Sequence, residues 1–207
     1  MDLNISLYFL RSMVYNPQED SILLEKYVKR YSKGIVLDMG AGTGIQARAA
    51  AIKADFVIAV DIDPEAVAYC NEHLKSPRIC VVRSDLFSFF REKEIVFQDG
   101  SIKGVEERKE GNRFGLIIFN APYLPTDEED KDIALDGGKE GFELIERFLA
   151  EAKEFLARDG SILLIFSSLS GKEKIDKAIK EKRYKSVPLQ KIHISFEVIF
   201  CYRIFHD

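Results

Sequence analysis

The stretch Ile35-Val-Leu-Asp-Met-Gly-Ala-Gly-Thr-Gly-Ile-Gln-Ala47 constrains this chain more than any other. Ile35, Val36, Leu37 and Met39 surround one acid and read as a buried parallel strand. Gly40, Gly42 and Gly44 follow, and Ala47 to Ala51 reads as the opening of a helix. Glycines at a strand-to-helix turn let backbone N–H groups approach a ligand with no Cβ in the way. The dinucleotide fingerprint G-x-G-x-x-G needs glycine at its sixth position; here that position is Ile45, and the spacing is G-x-G-x-G. Asp38, two residues before the first glycine, would repel a pyrophosphate but suits an ammonium or sulfonium group. The turn therefore points to an adenosine-bearing, cationic ligand rather than a nicotinamide dinucleotide. Without a ligand, the alternative is a tight βα turn that gains nothing for the entropy three glycines lose.

The segments that follow fit a parallel sheet. Phe56-Val-Ile-Ala-Val60 reads as a second buried strand ending at Asp61. An acid at the end of the second strand, roughly 20 residues past the glycine turn, can accept from both ribose hydroxyls. Asp63-Pro64 supplies an N-cap and a first-turn proline for a helix to about Leu74. Arg78 to Val82 reads as a third strand, at a sheet edge, followed by Ser84-Asp85-Leu86. Ligands of open α/β sheets lie outside the carboxyl ends of the strands. Asp85 there is an acceptor for the exocyclic amine of adenine, with Leu86 packing nearby, or a helix N-cap, or both.

Gly115-Leu-Ile-Ile-Phe119 is a fourth buried strand and runs into Asn120-Ala-Pro-Tyr123. An –NH2 group conjugated to a carbonyl or aromatic ring is a poor nucleophile, because its lone pair is delocalised. Two acceptors aimed at its N–H bonds hold it and leave the lone pair facing an electrophile. The Asn120 side-chain oxygen and the Ala121 backbone carbonyl can be those acceptors. Pro122 stiffens the turn, and Tyr123 offers a ring on which a planar amide or base can stack. The electrophile would be a methyl on a sulfonium, and the transfer needs orientation more than a strong base. Asn and Pro also make ordinary turns; the upstream glycines, Asp61 and Asp85 favour the chemical reading.

Around this framework, Asn16, Pro17 and Glu19 resemble a capping box for a helix to about Tyr31, with Asp20 and Ser21 in its first turn. Eleven charged residues crowd 92–113. Ile95–Gln98 and Ser101–Val105 flank Asp99-Gly100, the signature of an inserted hairpin or mobile loop, solvated or touching a large substrate. Residues 140–157 carry a helical apolar stripe that Asp159-Gly160 would end, and Ser161 to Phe166 reads as a fifth strand. Lys172 to Arg183 reads as a basic helix, and 185–194 with 196–205 as an antiparallel pair. The net charge of −4 argues against a surface gripping duplex nucleic acid through many phosphates. No apolar run approaches the roughly 20 residues of a membrane span, and the first residues lack the basic and apolar regions of a signal peptide. Cys70, Cys80 and Cys201 form no C-x-x-C pair, so buried thiols in a reducing compartment are expected, and no metal site.

Together these residues resemble the class I S-adenosylmethionine-dependent methyltransferases. More narrowly, they resemble the HemK/PrmC-type glutamine N5-methyltransferases, in their short archaeal/eukaryotic branch. The resemblance is carried by Val14-Tyr-x-Pro-x-Glu-Asp-Ser21, Asp38-x-Gly-x-Gly-x-Gly44, Asp61, Ser84-Asp-Leu86, Asn120-x-Pro-Tyr123 and Gly137-Gly-x-x-Gly141. It implies S-adenosyl-L-methionine as cofactor and the glutamine of the release-factor GGQ motif as substrate. It places Ser21, Asp38 and the glycines Gly40, Gly42 and Gly44 by the methionine moiety, Asp61 on the ribose, and Asp85 with Leu86 at the adenine. Asn120, Ala121, Pro122 and Tyr123 fall on the accepting amide. Ala121 departs from the proline of N-P-P-Y members, but only its carbonyl is needed there. Eukaryotic members of the short branch work with a small zinc-binding activator, and the apolar edge Ile79 to Val82 is where one would add a strand.

The expected fold is a single α/β domain over 1–207, Rossmann-like, with a seven-stranded, mostly parallel sheet and an antiparallel C-terminal strand pair. The expected setting is cytoplasmic. Two rivals stand beside the expected activity. One is an exocyclic-amine methyltransferase acting on adenine or guanine of DNA or RNA through the basic helix. The other is a non-catalytic scaffold with the same fold.

Overall fold

The computed structural model describes residues 19–98, 101–107, 111–122, 141–194 and 197–207. Helix α1 (Glu19–Tyr31) precedes strand β1 (Ile35–Met39), helix α2 (Ile45–Ala50), strand β2 (Phe56–Asp61), helix α3 (Pro64–His73) and strand β3 (Ile79–Arg83). Then come α4 (Ser88–Glu92), the hairpin β4 (Lys93–Gln98) and β5 (Ser101–Glu107), and strand β6 (Phe114–Asn120). Helix α5 (Glu143–Phe155), strand β7 (Leu156–Ser167), helix α6 (Lys172–Glu181), strand β8 (Tyr184–Ile194) and strand β9 (Glu197–His206) complete the chain.

Seven strands form one sheet in the order β3-β2-β1-β6-β7-β9-β8. β3, β2, β1, β6 and β7 run parallel, and β9 lies antiparallel to both β7 and β8. This is the expected mostly parallel sheet with its antiparallel C-terminal pair. The chain builds outward from β1 in one direction and from β6 in the other, so a crevice opens between their carboxyl ends. Register aligns Asp38 with Ile118 and Met39 with Phe119, which sets Gly40 beside Asn120.

Both sheet faces are covered, and this is why β1, β2 and β6 are nearly continuous apolar runs. On one face Val36, Val57, Ala59, Leu116 and Ile118 pack against α1, α2 and α3 through Leu24, Val28, Ala47, Ala50 and Cys70. On the other, Leu37, Ile58, Ile117 and Phe119 meet an aromatic layer from α4 and α5, including Phe87, Phe90, Phe148 and Phe155. α3 starts with Asp63 accepting from Glu65 N–H and Pro64 in its first turn, as the residues dictate.

One local expectation is corrected. Asp159-Gly160 does not end α5; the helix stops at Phe155, and these residues lie within β7. β7 pairs with β6 through a register shift between Phe114 and Leu116. A Cβ on Gly160 would sit 2.7 Å from the Phe114 carbonyl oxygen, so the missing side chain lets the two backbones meet. Helix α4, Ser88-Phe-Phe-Arg-Glu92, has no readable period in isolation; Phe90 packs against Phe114 and Phe155.

The charged insertion pairs antiparallel as β4 and β5. Phe97 stacks on Phe56 at 4.3 Å, Ile102 N–H donates to the Pro77 carbonyl at 3.4 Å, and Asn112 brackets Ile95 through both backbone groups. Phe56 opens β2 and Pro77 precedes β3, so the hairpin is fastened at the amino ends of these strands, away from the crevice. Its Asp99-Gly100 turn lies outside the described residues. Among the described residues no helix is long and apolar enough to cross a membrane.

Candidate active site

The glycine turn leaves β1 with Gly40, Gly42 and Gly44 at φ of 69°, 51° and 72°. These left-handed values suit glycine. At Gly44 a Cβ would also fall 2.7 Å from the Leu74 side chain. The turn is stitched to β2: Ala41 N–H donates to the Val60 carbonyl at 2.9 Å, and Gly42 N–H to Asp61 Oδ2 at 2.9 Å. Asp61 Oδ1 accepts from Asp63 N–H at 3.0 Å. Asp61 is thus fixed by backbone donors at the end of its strand, each oxygen keeping a lone pair for a further donor. Burial raises its pKa above the usual carboxylate range, against the Gly42 and Asp63 N–H groups that pull it down. Cys70 packs under the turn, its thiol donating to the Gly42 carbonyl at 3.3 Å, and burial pushes its pKa up to about 12. It is a structural thiol.

Asp38 is 2% exposed, and its Oδ2 has no hydrogen-bond partner. Burial, with the nearby Asp61 charge adding to it, raises its pKa well above normal, while the Ala47 N–H opposes this. A buried carboxylate oxygen without a donor is costly, and an ammonium or sulfonium group is the complement that relieves it. The residues therefore fit the cationic, adenosine-bearing ligand inferred from the turn.

Asn120 ends β6, with Nδ2 donating to Asp20 Oδ2 at 3.0 Å and lying 3.4 Å from Ser21 Oγ. Its Oδ1 is buried and has no donor. The carboxamide orientation is settled by chemistry: turned over, it would set oxygen against a carboxylate oxygen. Ala121 is buried beside it, with its N–H 3.4 Å from the Ile165 carbonyl, and Pro122 follows. Tyr123, like Val14 to Pro17 and Gly137-Gly138, lies outside the described residues.

Ser21 is buried in the first turn of α1, within reach of Asn120. Gln46, which sequence reasoning passed over, holds this turn from α2: its Nε2 donates to the Ser21 carbonyl at 2.9 Å, and its Oε1 is buried with no partner. The available signal was a polar side chain at the first turn of an alanine-rich helix, directly after the glycine turn. Asp38, Gln46 and Asn120 thus supply three buried acceptor atoms that lack donors, all linked through β1, α2 and the start of α1. Buried polar atoms are rarely left unpaired, and a cluster of them marks a site that awaits donors.

Asp85 does not cap the following helix with its side chain, and its carboxylate has a partner on α5. Arg147 of α5 grips its carboxylate with both guanidinium nitrogens, at 2.6 and 3.0 Å. The first turn of α4 is served instead by Ser84, whose Oγ accepts from Phe89 N–H at 3.0 Å. Leu86 is buried with φ of 44°, a left-handed value rare for a branched residue and a sign of local strain.

Comparison with known proteins agrees with this geometry. A methyltransferase-domain profile matches residues 36–133. A protein of Methanocaldococcus jannaschii, provisionally named a protein N5-glutamine methyltransferase, is 34% identical over 196 residues, covering 91% of this chain and 89% of that one. The release factor glutamine methyltransferase of Deinococcus radiodurans is 31% identical over 74% of this chain, which spans about half (54%) of its length. Among solved structures, the Encephalitozoon cuniculi Mtq2–Trm112 complex, responsible for methylation of the eRF1 translation termination factor, superposes with a TM-score of 0.67 at 21% identity. That superposition covers 93% of this chain and 98% of the other, and it speaks to the fold. The fold is that of a class I S-adenosylmethionine-dependent methyltransferase. Within that class the chain belongs to the HemK/PrmC-type glutamine N5-methyltransferases.

Proposed function

We propose that this protein methylates the side-chain amide nitrogen of the glutamine in the GGQ motif of a peptide-chain release factor. The observation that carries the reading is the buried, donor-free Asn120 Oδ1 at the carboxyl end of β6, next to the Ala121 backbone. A primary amide presents two N–H donors. Asn120 Oδ1 takes one and the Ala121 carbonyl the other, so the amide nitrogen is held flat and in line with the methyl donor. S-adenosylmethionine supplies a methyl group activated by its sulfonium charge. On the protein side, Asp38 balances positive charge in the methionine portion, and Ser21 closes that pocket from α1. Gly40, Gly42 and Gly44 keep the approach free of side chains, and Asp61 accepts from the ribose hydroxyls. Asp85 and Leu86 flank the adenine.

β3 is the outermost strand, and Val57 N–H reaches the Arg78 carbonyl while Ser84 N–H reaches the Asp61 carbonyl. Even-numbered residues therefore face β2, and Val81 and Arg83 present their backbones outward, while the Ile79 N–H is turned back to the Ser76 carbonyl at 3.2 Å. An edge of this kind accepts an added strand, and we assign it to a small activator protein, zinc-binding as in the eukaryotic branch. A release-factor substrate places the enzyme in the cytoplasm.

The test is incubation with labelled S-adenosylmethionine and a release factor, then mass spectrometry of its GGQ peptide, with DNA and RNA as competing acceptors. One methyl on the GGQ glutamine, absent when that glutamine is replaced, is expected. Label entering nucleic acid instead would move the activity to the exocyclic-amine class.

A further inference from the structure

Asn120 can present the wrong end of itself. A carboxamide has nearly the same shape either way round, and only its partners decide whether oxygen or nitrogen faces the crevice. The deciding partner here is Asp20, 100 residues away in sequence, whose Oδ2 accepts from Asn120 Nδ2 at 3.0 Å. Asp20 is itself 2% exposed and sits in the first turn of α1, where unpaired helix N–H groups favour a carboxylate. Its Oδ1 accepts from Ser21 N–H at 2.6 Å, and Gln46 Nε2 holds the Ser21 carbonyl at 2.9 Å. A chain of contacts therefore runs from α2 through the start of α1 to the end of β6.

We propose that Asp20 is a positioning residue for methyl transfer: it fixes the polarity of the Asn120 carboxamide so that Oδ1, not Nδ2, meets the nitrogen to be methylated. This rests on the reading of Asn120 as the holder of the accepting amide. A carboxylate offers acceptors only, so it tolerates one orientation of Asn120. Asparagine at position 20 would offer an –NH2 as readily as an oxygen, and Asn120 could then turn over and present donors to a substrate that also presents donors.

The experiment is Asp20→Asn in the wild-type and Asn120→Ala backgrounds, with kcat and KM measured on a release factor. S-adenosylhomocysteine binding is followed by calorimetry, and folding by thermal melting. In the wild-type background kcat falls about 10–100-fold, the scale of a misoriented reacting group, with S-adenosylhomocysteine affinity unchanged. In the Asn120→Ala background the same substitution has no further effect, because the group it orients is gone. Asp20→Ala serves as the second variant if the asparagine form does not fold, with the same expectation. Wild-type kcat in the Asp20 variants, or an equal loss in both backgrounds, overturns the proposal while leaving Asn120 in place. Full turnover by Asn120→Ala alone overturns the underlying reading and the proposal with it.

Discussion

Phe87 and Phe155 stack at 4.8 Å and within 3° of parallel beneath one face of the sheet, where Phe90, Phe114 and Phe148 complete a fully buried aromatic layer. Across the sheet, around the carboxyl ends of β1 and β6, the buried Asp38 and Gln46 and the half-buried Asn120 each hold a buried oxygen with no donor. The aromatic layer is complete as it stands: every ring has ring partners, and burial alone accounts for it. The polar cluster is incomplete by the same standard, since buried oxygens without donors cost stability. One region holds the fold together; the other carries unpaired polar atoms that weigh against it and that the proposed function fills with a ligand. Substitutions should therefore separate into those that unfold the protein and those that silence it.

The largest effect is expected in the aromatic layer. Phe90 contacts Phe114 and Phe155 edge-on and tilted, so Phe90→Ala should cost about 3–5 kcal/mol in urea unfolding. The kcat of the fraction still folded should be near wild type. A variant that stays stable but inactive would mean that the layer shapes the crevice directly. Next comes Asn120→Ala, for which kcat should drop about 10²–10³-fold, the scale for one positioned polar group. S-adenosylhomocysteine affinity should be kept and the melting temperature should change little, because removing the buried unpaired Oδ1 is offset by the loss of the Nδ2 donor to the buried Asp20 carboxylate. Intact turnover would dissolve the contrast between the two regions.

Asp61→Ala is expected to weaken S-adenosylhomocysteine binding by about 1.5–3 kcal/mol, a lost charge-assisted hydrogen bond, read by calorimetry. Asp61 is a case of what the sequence makes legible: its distance from the glycine turn and its place at a strand end are local facts, and Gly42 N–H does reach it. The strands were legible for the same reason, since β1, β2 and β6 are short apolar runs bounded by turn residues. The contacts that set side-chain orientation were not. Asp20 to Asn120, Ser21 to Gln46 and Asp85 to Arg147 span 100, 25 and 62 residues. Each depends on how helices settle against the sheet, which no local pattern encodes. The Asp159-Gly160 bulge was misread because Asp-Gly after a helical stripe has the composition of a stop. Only pairing with Phe114 turns it into strand.

The smallest effect, and the one that ties the two regions together, concerns pH and Asp38. Burial raises the folded-state pKa of Asp38, so the folded protein holds that proton more tightly than the unfolded chain does. Without ligand, the resulting stability is present below the unfolded value and is lost as pH rises through the folded value. Burial raises Asp61 in the same sense, so both carboxylates weigh against the ligand-free fold at neutral pH. Asp38→Asn removes one of them and should gain about 1 kcal/mol at neutral pH, near the lower end of the cost of an unpaired buried polar group. The gain should shrink on acidification, as the wild-type carboxylate takes up its proton. Binding should move the opposite way. A cationic ligand needs the ionised carboxylate, so wild-type affinity for S-adenosylmethionine should fall as pH is lowered, while the asparagine variant binds weakly at every pH. Melting and calorimetry across pH 5 to 8 would measure both trends. If Asp38→Asn lost stability and kept its affinity, the carboxylate would be holding the glycine turn together, and the division between a finished core and an unfinished site would fail at its central residue.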